Sequence, residues 1–355
     1  MPDQSARRRR TSRQAPAPLP SKRKSGGGAA AAGGAAEAGG AGAAGGAGAA
    51  GGAGPTAGDA QQAARIPVRK TYKLYVGGQF PRSESGRSYI ARSPDGTPLA
   101  NAVRSSRKDV RDAVRTARGA FPGWAGKTAM NRGQVLYRVA ELMEGRRAQF
   151  VDEVSAAEGL SAEATAESVD RAIDRWVWYA GWADKISQLL GTVNPVGAPY
   201  FDFTFPEATG LVGVVAPEGS SLLGLVSRVA PAVVSGNCAV VLASESRPLP
   251  AVTLGEVLAT SDVPAGVINI LTGQRRELVP ILASHMDVNA IDTWGVPEEL
   301  RQQVEEAAVE NLKRLARPPR GDATRFDWLD DRRAQRPEWI AAYLEMKTVW
   351  HPIGM

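Results

Sequence analysis

One thiol, Cys238, and two imidazoles, His285 and His351, are the chain's whole stock of cysteine and histidine. A lone cysteine excludes an intrachain disulfide framework and a cysteine-based zinc site, and the histidines lie too far apart for a ligand spacing. No metal is expected. A thiol attacks a carbonyl only as thiolate, which needs a basic neighbour or a helix N-terminus. Cys238 opens the apolar run CAVVLAS directly after Gly236 and Asn237. That run reads as a buried strand, so the thiol is expected to act as a small core residue. Other polar groups sit at the ends of apolar runs. Glu218, Gly219, Ser220 and Ser221 follow GLVGVVAP, Glu245 follows CAVVLAS, and Asp292, Thr293 and Trp294 follow VNAI.

The elements that must hold these groups alternate in type from Gly210 onward. GLVGVVAP, CAVVLAS, GVINILTG and VNAIDTW read as strands. LLGLVSRVAPAVVSG, capped by Ser220–Ser221 and ended by Gly236 and Asn237, reads as a helix, as do LPAVTLGEVLAT and ELVPILASH. Strand–helix–strand units of this length build an α/β, Rossmann-like, doubly wound parallel sheet that binds ligands at the strand carboxyl ends. The GxGxxG fingerprint is missing.

Order is expected to begin near Lys73. KLYVGGQF and SGRSYIARS read as strands, with Gly77 and Gly78 in a turn. Ser106 and Asp109 form a capping box for a helix carrying Val110, Ala113, Val114, Ala117 and Phe121 at helical spacing. Val135, Leu136, Val139, Ala140 and Met143 mark a second helix, and Phe150, Val151 and Val154 before Gly159 a third. A longer helix over 162–187 carries Trp176, Trp178, Tyr179 and Trp182 as core residues rather than a stacking platform.

Residues 1–66 read as a disordered arm. Arg7, Arg8, Arg9, Arg10, Arg13, Lys22, Arg23 and Lys24 against Asp3 exceed the net charge of +6, so the rest of the chain is close to neutral. A Gly/Ala-rich stretch follows, with no side chains to pack. The basic cluster lacks interleaved aromatics, which favours a solubilising arm over nucleic-acid binding. No apolar stretch is long enough for a transmembrane helix and none follows the basic start as a secretory signal would, so a soluble, cytoplasmic protein is expected.

In order and spacing, YAGWADKI, GLVGVVAP, PAVVSGNCAVVL and DVPAGVINILTG resemble the aldehyde dehydrogenase family, as do LYVGGQF and SPDGTPLANA. The resemblance runs from about residue 71 to 316. It stops where the family's catalytic half would begin, and WIAAYLEMKTVWHPIG is similar to the family's terminal tail. It implies a cofactor-binding domain over 67–187 and 207–316. It also implies an oligomerisation flap and terminal strand over 188–206 and 338–355, with residues 317–337 as a linker in place of the catalytic domain.

The resemblance also implies what is lost. The family's nucleophilic cysteine belongs to the missing half, and ARPPRGD stands, without a glutamate, where the family's base follows an NLKR helix. Gly219 takes the place of the oxyanion asparagine. At the implied cofactor site Ala216, Pro217 and Glu245 persist, but Leu242 replaces a ribose-binding lysine. Asp292 and Trp294 would respectively repel and crowd a pyrophosphate. The expectation is a chain with no cofactor, NAD or NADP binding being the alternative, and with no aldehyde oxidation of its own. A residual or shared active site is the rival reading.

YFDFTF in the implied flap has strand alternation, and KTVW near the terminus has strand patterning. Neither has an obvious sheet to join in this chain. Phe203, Phe205, Lys347, Thr348, Val349 and Trp350 are therefore expected to form an interface with a complete aldehyde dehydrogenase, or with a second copy.

Overall fold

The structure, a computed structural model, describes residues 68–319 and 325–354; the basic and Gly/Ala-rich arm lies outside them. Strands β1 (Thr71–Tyr72), β2 (Ser88–Arg92) and β3 (Pro98–Val103) form a small sheet in the order β1-β3-β2. Between β1 and β2, Val76 and Gln79 exchange backbone bonds across Gly77 and Gly78, both at positive φ, as the turn reading required.

Helices α1 (Arg107–Ala125), α2 (Ala129–Glu144), α3 (Arg147–Glu158) and α4 (Ala162–Trp182) follow. Ser106 and Asp109 form the expected capping box of α1. The helix expected over 162–187 ends at Trp182, and a short α5 (Ile186–Leu190) comes after it. Trp176 and Tyr179 are buried, while Trp178 and Trp182 are partly buried against the core.

After β4 (Thr192–Asn194) and β5 (Tyr200–Ala208) the chain enters the central sheet. Its successive elements are β6 (Leu211–Val215), α6 (Leu223–Val234), β7 (Cys238–Leu242), α7 (Leu249–Thr260), β8 (Ile268–Leu271), α8 (Arg275–Ser284), β9 (Ala290–Asp292), a 3-10 turn, α9 (Arg301–Val309) and β10 (Arg314–Ala316). The order is β10-β9-β6-β7-β8, parallel throughout. Arg314–Ala316 is thus a strand, not the continuation of an NLKR helix: only the sheet edge beside β9 gives so short a run its conformation. Every residue of β6 and β7 is buried, so both faces of the sheet are covered. The covering layers are α6 and α7, with α2, α3 and α4 against them, and α1 with α8. Tyr75 exchanges backbone bonds with Ile270, at 3.0 and 2.7 Å, covering the β8 edge.

Residues 325–337, expected to be a linker, are packed instead. They lead through α10 (Asp331–Ala334) into α11 (Pro337–Ala341). Arg175 of α4 is fully buried and donates to the carbonyls of Trp328 and Ala334, to Ser227 and to Asp331. A buried guanidinium needs such partners, and this segment supplies most of them.

The last strand, β11 (Leu344–Pro352), corrects another expectation. It pairs antiparallel with β5 along its whole length, from Leu344↔Ala208 to Pro352↔Tyr200, in a sheet ordered β11-β5-β4. The flap and the terminal strand therefore have a sheet to join in their own chain: each other. Facing pairs put Lys347 and Val349 on the side of Phe205 and Phe203, and alternation puts Thr348 and Trp350 on the other. The buried residue of β5 is Asp202, held by Asn194, whereas Phe203 and Phe205 are half-buried.

Candidate functional site

The chain runs β6 to β7 to β8 in one direction across the sheet and reaches β9 and β10 on the other side of β6. The strand order reverses there, which opens a crevice beyond the carboxyl ends. A crevice of about 1290 Å3 is lined by Pro217–Ser220 after β6, Glu245 and Ser246 after β7, Gln274–Arg276 after β8, and Trp294–Glu299 after β9. Arg301, Phe326 and Trp328 complete it.

Arg275, the first residue of α8, lies across the strand ends with only 7% of its side chain exposed. It donates to the carbonyl of Gly295 at 2.8 Å and to that of Ala216 at 2.5 Å, and pairs with Glu218 at 2.8 Å. Burial pushes its guanidinium below the ordinary value, opposed by the charges of Glu218 and Glu245. Glu218 accepts the backbone N–H groups of Glu245 and Ser246, at 3.0 and 2.8 Å. Burial works to raise its carboxyl, but Arg275 and these hydrogen bonds outweigh it, so the group stays below its usual value. Glu245 turns its carboxylate to the backbone N–H of Arg275 at 2.8 Å. The anion position at the start of α8 is therefore taken by the chain's own carboxylate.

The loop after β9 closes tightly over β6. Gly295 N–H donates to Val215 at 2.9 Å, and a Cβ at Gly295 would stand 1.9 Å from the Ala216 oxygen. Only glycine fits this approach. The expected cap of α6 is corrected: the N-cap position falls on Leu222, which makes no side-chain cap bond, while Ser220 Oγ accepts the N–H of Gly224 from further back in the chain and Ser221 is bonded to Glu158.

Asp292 corrects an expectation: it points away from the crevice. Its carboxylate pairs with Arg228 at 2.6 Å, with both side chains at most 1% exposed, and also accepts from the Tyr343 hydroxyl. Arg228 also donates to Tyr343 and lies near the rings of Trp294 and Trp339. Burial alone would lower the Arg228 guanidinium, but Asp292 and Tyr343 raise it above its ordinary value. No carboxylate of Asp292 is left to repel a phosphate. Trp294 does form part of the crevice wall, but its ring packs against Phe326, Trp328 and Trp339 and is 5% exposed.

Of the other expected residues, Pro217, Gly219 and Glu245 line the crevice, whereas Ala216 is buried with its carbonyl bonded to Arg275. Leu242 is buried at the end of β7. Gly219 is exposed, and a Cβ there would meet nothing within 4 Å. Cys238 is fully buried at the opposite, amino end of β7, its thiol pushed up to about 12 by burial. The sequence reading missed Arg275, Arg228 and Arg175, because an arginine on a helix is ordinarily solvated. Among the described residues no group of histidine, cysteine and acidic side chains could hold a metal ion, and no helix is long and apolar enough to cross a membrane.

Fold and crevice together define a Rossmann-like α/β protein whose ligand position, at the strand carboxyl ends, is bridged by its own ion pairs. The chain belongs to the aldehyde dehydrogenase family, whose model matches residues 81–317. Relatives include omega-crystallin of Enteroctopus dofleini, 30% identical over 71% of this chain and 51% of its own length. Human retinal dehydrogenase 2 is 33% identical over 69% of this chain and 48% of its own. Among solved structures, HpcC from Thermus thermophilus has a TM-score of 0.66 at 28% identity, covering 70% of this chain and 48% of its own. PnpE, solved in complex with nicotinamide adenine dinucleotide, has a TM-score of 0.65 at 27% identity, covering 69% and 50%. The chain thus spans about half the length of the curated relatives it matches.

Proposed function

We propose that this chain is a catalytically defective aldehyde dehydrogenase-like subunit that assembles with a complete aldehyde dehydrogenase. The observation that carries the reading is the position of its only cysteine. Cys238 is fully buried and protonated at neutral pH, and it begins the strand whose other end meets the crevice. Four residues of strand separate it from that end, about 13 Å. A thiolate attack on an aldehyde in the crevice has no donor in this chain. Gly219 supplies no side-chain amide to an oxyanion. For the cofactor, Glu245 occupies the backbone N–H at the start of α8, and Arg275 is engaged by the carbonyls of Ala216 and Gly295, which supports the reading that NAD and NADP are not held in the family's manner.

The flap supports the assembly part. Phe201, Phe203 and Phe205 follow one another with ring separations of 5.3 and 6.1 Å, the first pair tilted and the second stacked, on a face left partly open. β11 is an edge strand of its sheet, and proteins seldom leave a long edge uncovered. A partner's sheet that added to this edge would cover it.

The size of the crevice favours a second reading, an NAD(P)-dependent aldehyde oxidoreductase with a residual or shared active site. A spectrophotometric assay of NAD(P)-dependent oxidation of short and aromatic aldehydes separates the two. The purified chain should show no turnover, and Cys238→Ala should change nothing. Turnover that Cys238→Ala abolishes would overturn the proposal.

A further inference from the structure

Backbone pairing brings three arginines together away from the crevice. Arg104 N–H donates to the carbonyl of Arg87 at 3.0 Å, where β2 and β3 meet, and Arg107 begins α1 three residues later. With Ser105 and Glu277 they line a separate cavity of about 310 Å3. Arg104 is committed to Glu277 of α8 in a two-pronged ion pair. Arg87 and Arg107 have no side-chain partner among the described residues. The nearby acids are occupied elsewhere: Glu84 pairs with Lys108, and Asp109 caps Ser106 and accepts from Ser83.

Ser105 is the second, independent sign. It lines the cavity, is 2% exposed, and its Oγ has no hydrogen-bond partner. A buried hydroxyl left unpaired costs about 1–3 kcal/mol unless something satisfies it. Beside it, the first-turn N–H groups of α1, at Arg107 and Lys108, have no partner within the helix. Unpaired guanidiniums, free helix N–H groups and an unsatisfied hydroxyl in one concavity are the complement of a small oxyanion.

We propose that this cavity binds a phosphoryl group, held by Arg87, Arg107, the start of α1 and Ser105. Arg104 is kept in place by Glu277, whose single negative charge leaves the cavity net positive. The group arrives either as inorganic phosphate or on a small phosphate monoester, and the cavity volume leaves room for only a short organic part.

The test is calorimetric titration of the full chain with inorganic phosphate and, in parallel, with glycerol phosphate, at low ionic strength. Saturable binding should weaken by about tenfold or more in Arg87→Ala/Arg107→Ala. Those side chains hold nothing else, so the thermal midpoint should stay. Tighter binding of the monoester would identify the second source, and equal binding the first. A readout that needs no variant is the amide spectrum: phosphate should move the Arg107 and Lys108 signals. Absence of saturable binding, binding indifferent to the double substitution, or unmoved amide signals would each overturn the assignment.

Discussion

The carboxylate of Glu245 accepts the backbone N–H of Arg275 at 2.8 Å, while the Arg275 side chain reaches back to the carbonyls of Ala216 and Gly295. One residue thus ties together the loops after β6, β7 and β9. Titration calorimetry should give dissociation constants for NAD and NADP in the millimolar range or weaker, on the order of −4 kcal/mol. Micromolar binding, weakened sharply by Glu245→Ala, would restore the oxidoreductase reading.

Arg275→Ala should lower stability by about 2 kcal/mol, since it leaves carbonyl groups and a carboxylate without their donor. Denaturant unfolding measures this. An unchanged midpoint would mean that water replaces the guanidinium at no cost.

Glu218 makes the acid limb of stability specific. Its carboxyl lies below its usual value of 4.5 in the folded chain, because Arg275 and hydrogen bonds from Ser246 and Glu245 outweigh burial. A depressed folded value means that the stabilisation is complete above 4.5 and is lost as pH falls through the folded value. The gap in thermal midpoint between the native chain and Glu218→Gln should therefore be widest above pH 4.5 and shrink below it. A gap that stays constant on acidification would contradict this.

The pair of Arg228 and Asp292 is buried on both sides and shared with Tyr343. Asp292→Ala leaves a buried guanidinium without its counter-ion, a loss of about 3–5 kcal/mol. Urea unfolding should show it, and a loss under about 1 kcal/mol would place the charge in contact with water.

Much of this architecture was legible in the sequence because its signals are local. The Ser106–Asp109 capping box, the Gly77–Gly78 turn and the apolar runs of β6 to β9 each reveal themselves within a few residues. What stayed hidden depends on distant partners. Arg314–Ala316 is too short to show alternation and is a strand only beside β9. The packing of residues 325–337 depends on Arg175, which sits on α4. The inward turn of Asp292 depends on Arg228 and Tyr343, and no spacing rule links those three positions. The placing of Pro217 and Glu245 at the crevice was implied by the family resemblance, but the arginine that bridges it was not.

Assembly is the central claim, and the open face of the flap says where to test it. Phe201 is 44% exposed beside Phe203 and opposite His351, so Phe201→Asp should leave the β5–β11 pairing intact. Burying such a side chain fully contributes about 1.5–3 kcal/mol before the cost of association. Val349→Pro is the harsher variant, because Val349 faces Phe203 within the chain's own sheet and the substitution disturbs the flap itself. The direct measurement is size-exclusion chromatography with light scattering after coexpression with a complete aldehyde dehydrogenase from the same cell. The account predicts a joint peak of defined stoichiometry that Phe201→Asp dissolves without lowering the thermal midpoint. A well-behaved monomer that elutes apart from every complete aldehyde dehydrogenase of its own cell would contradict it.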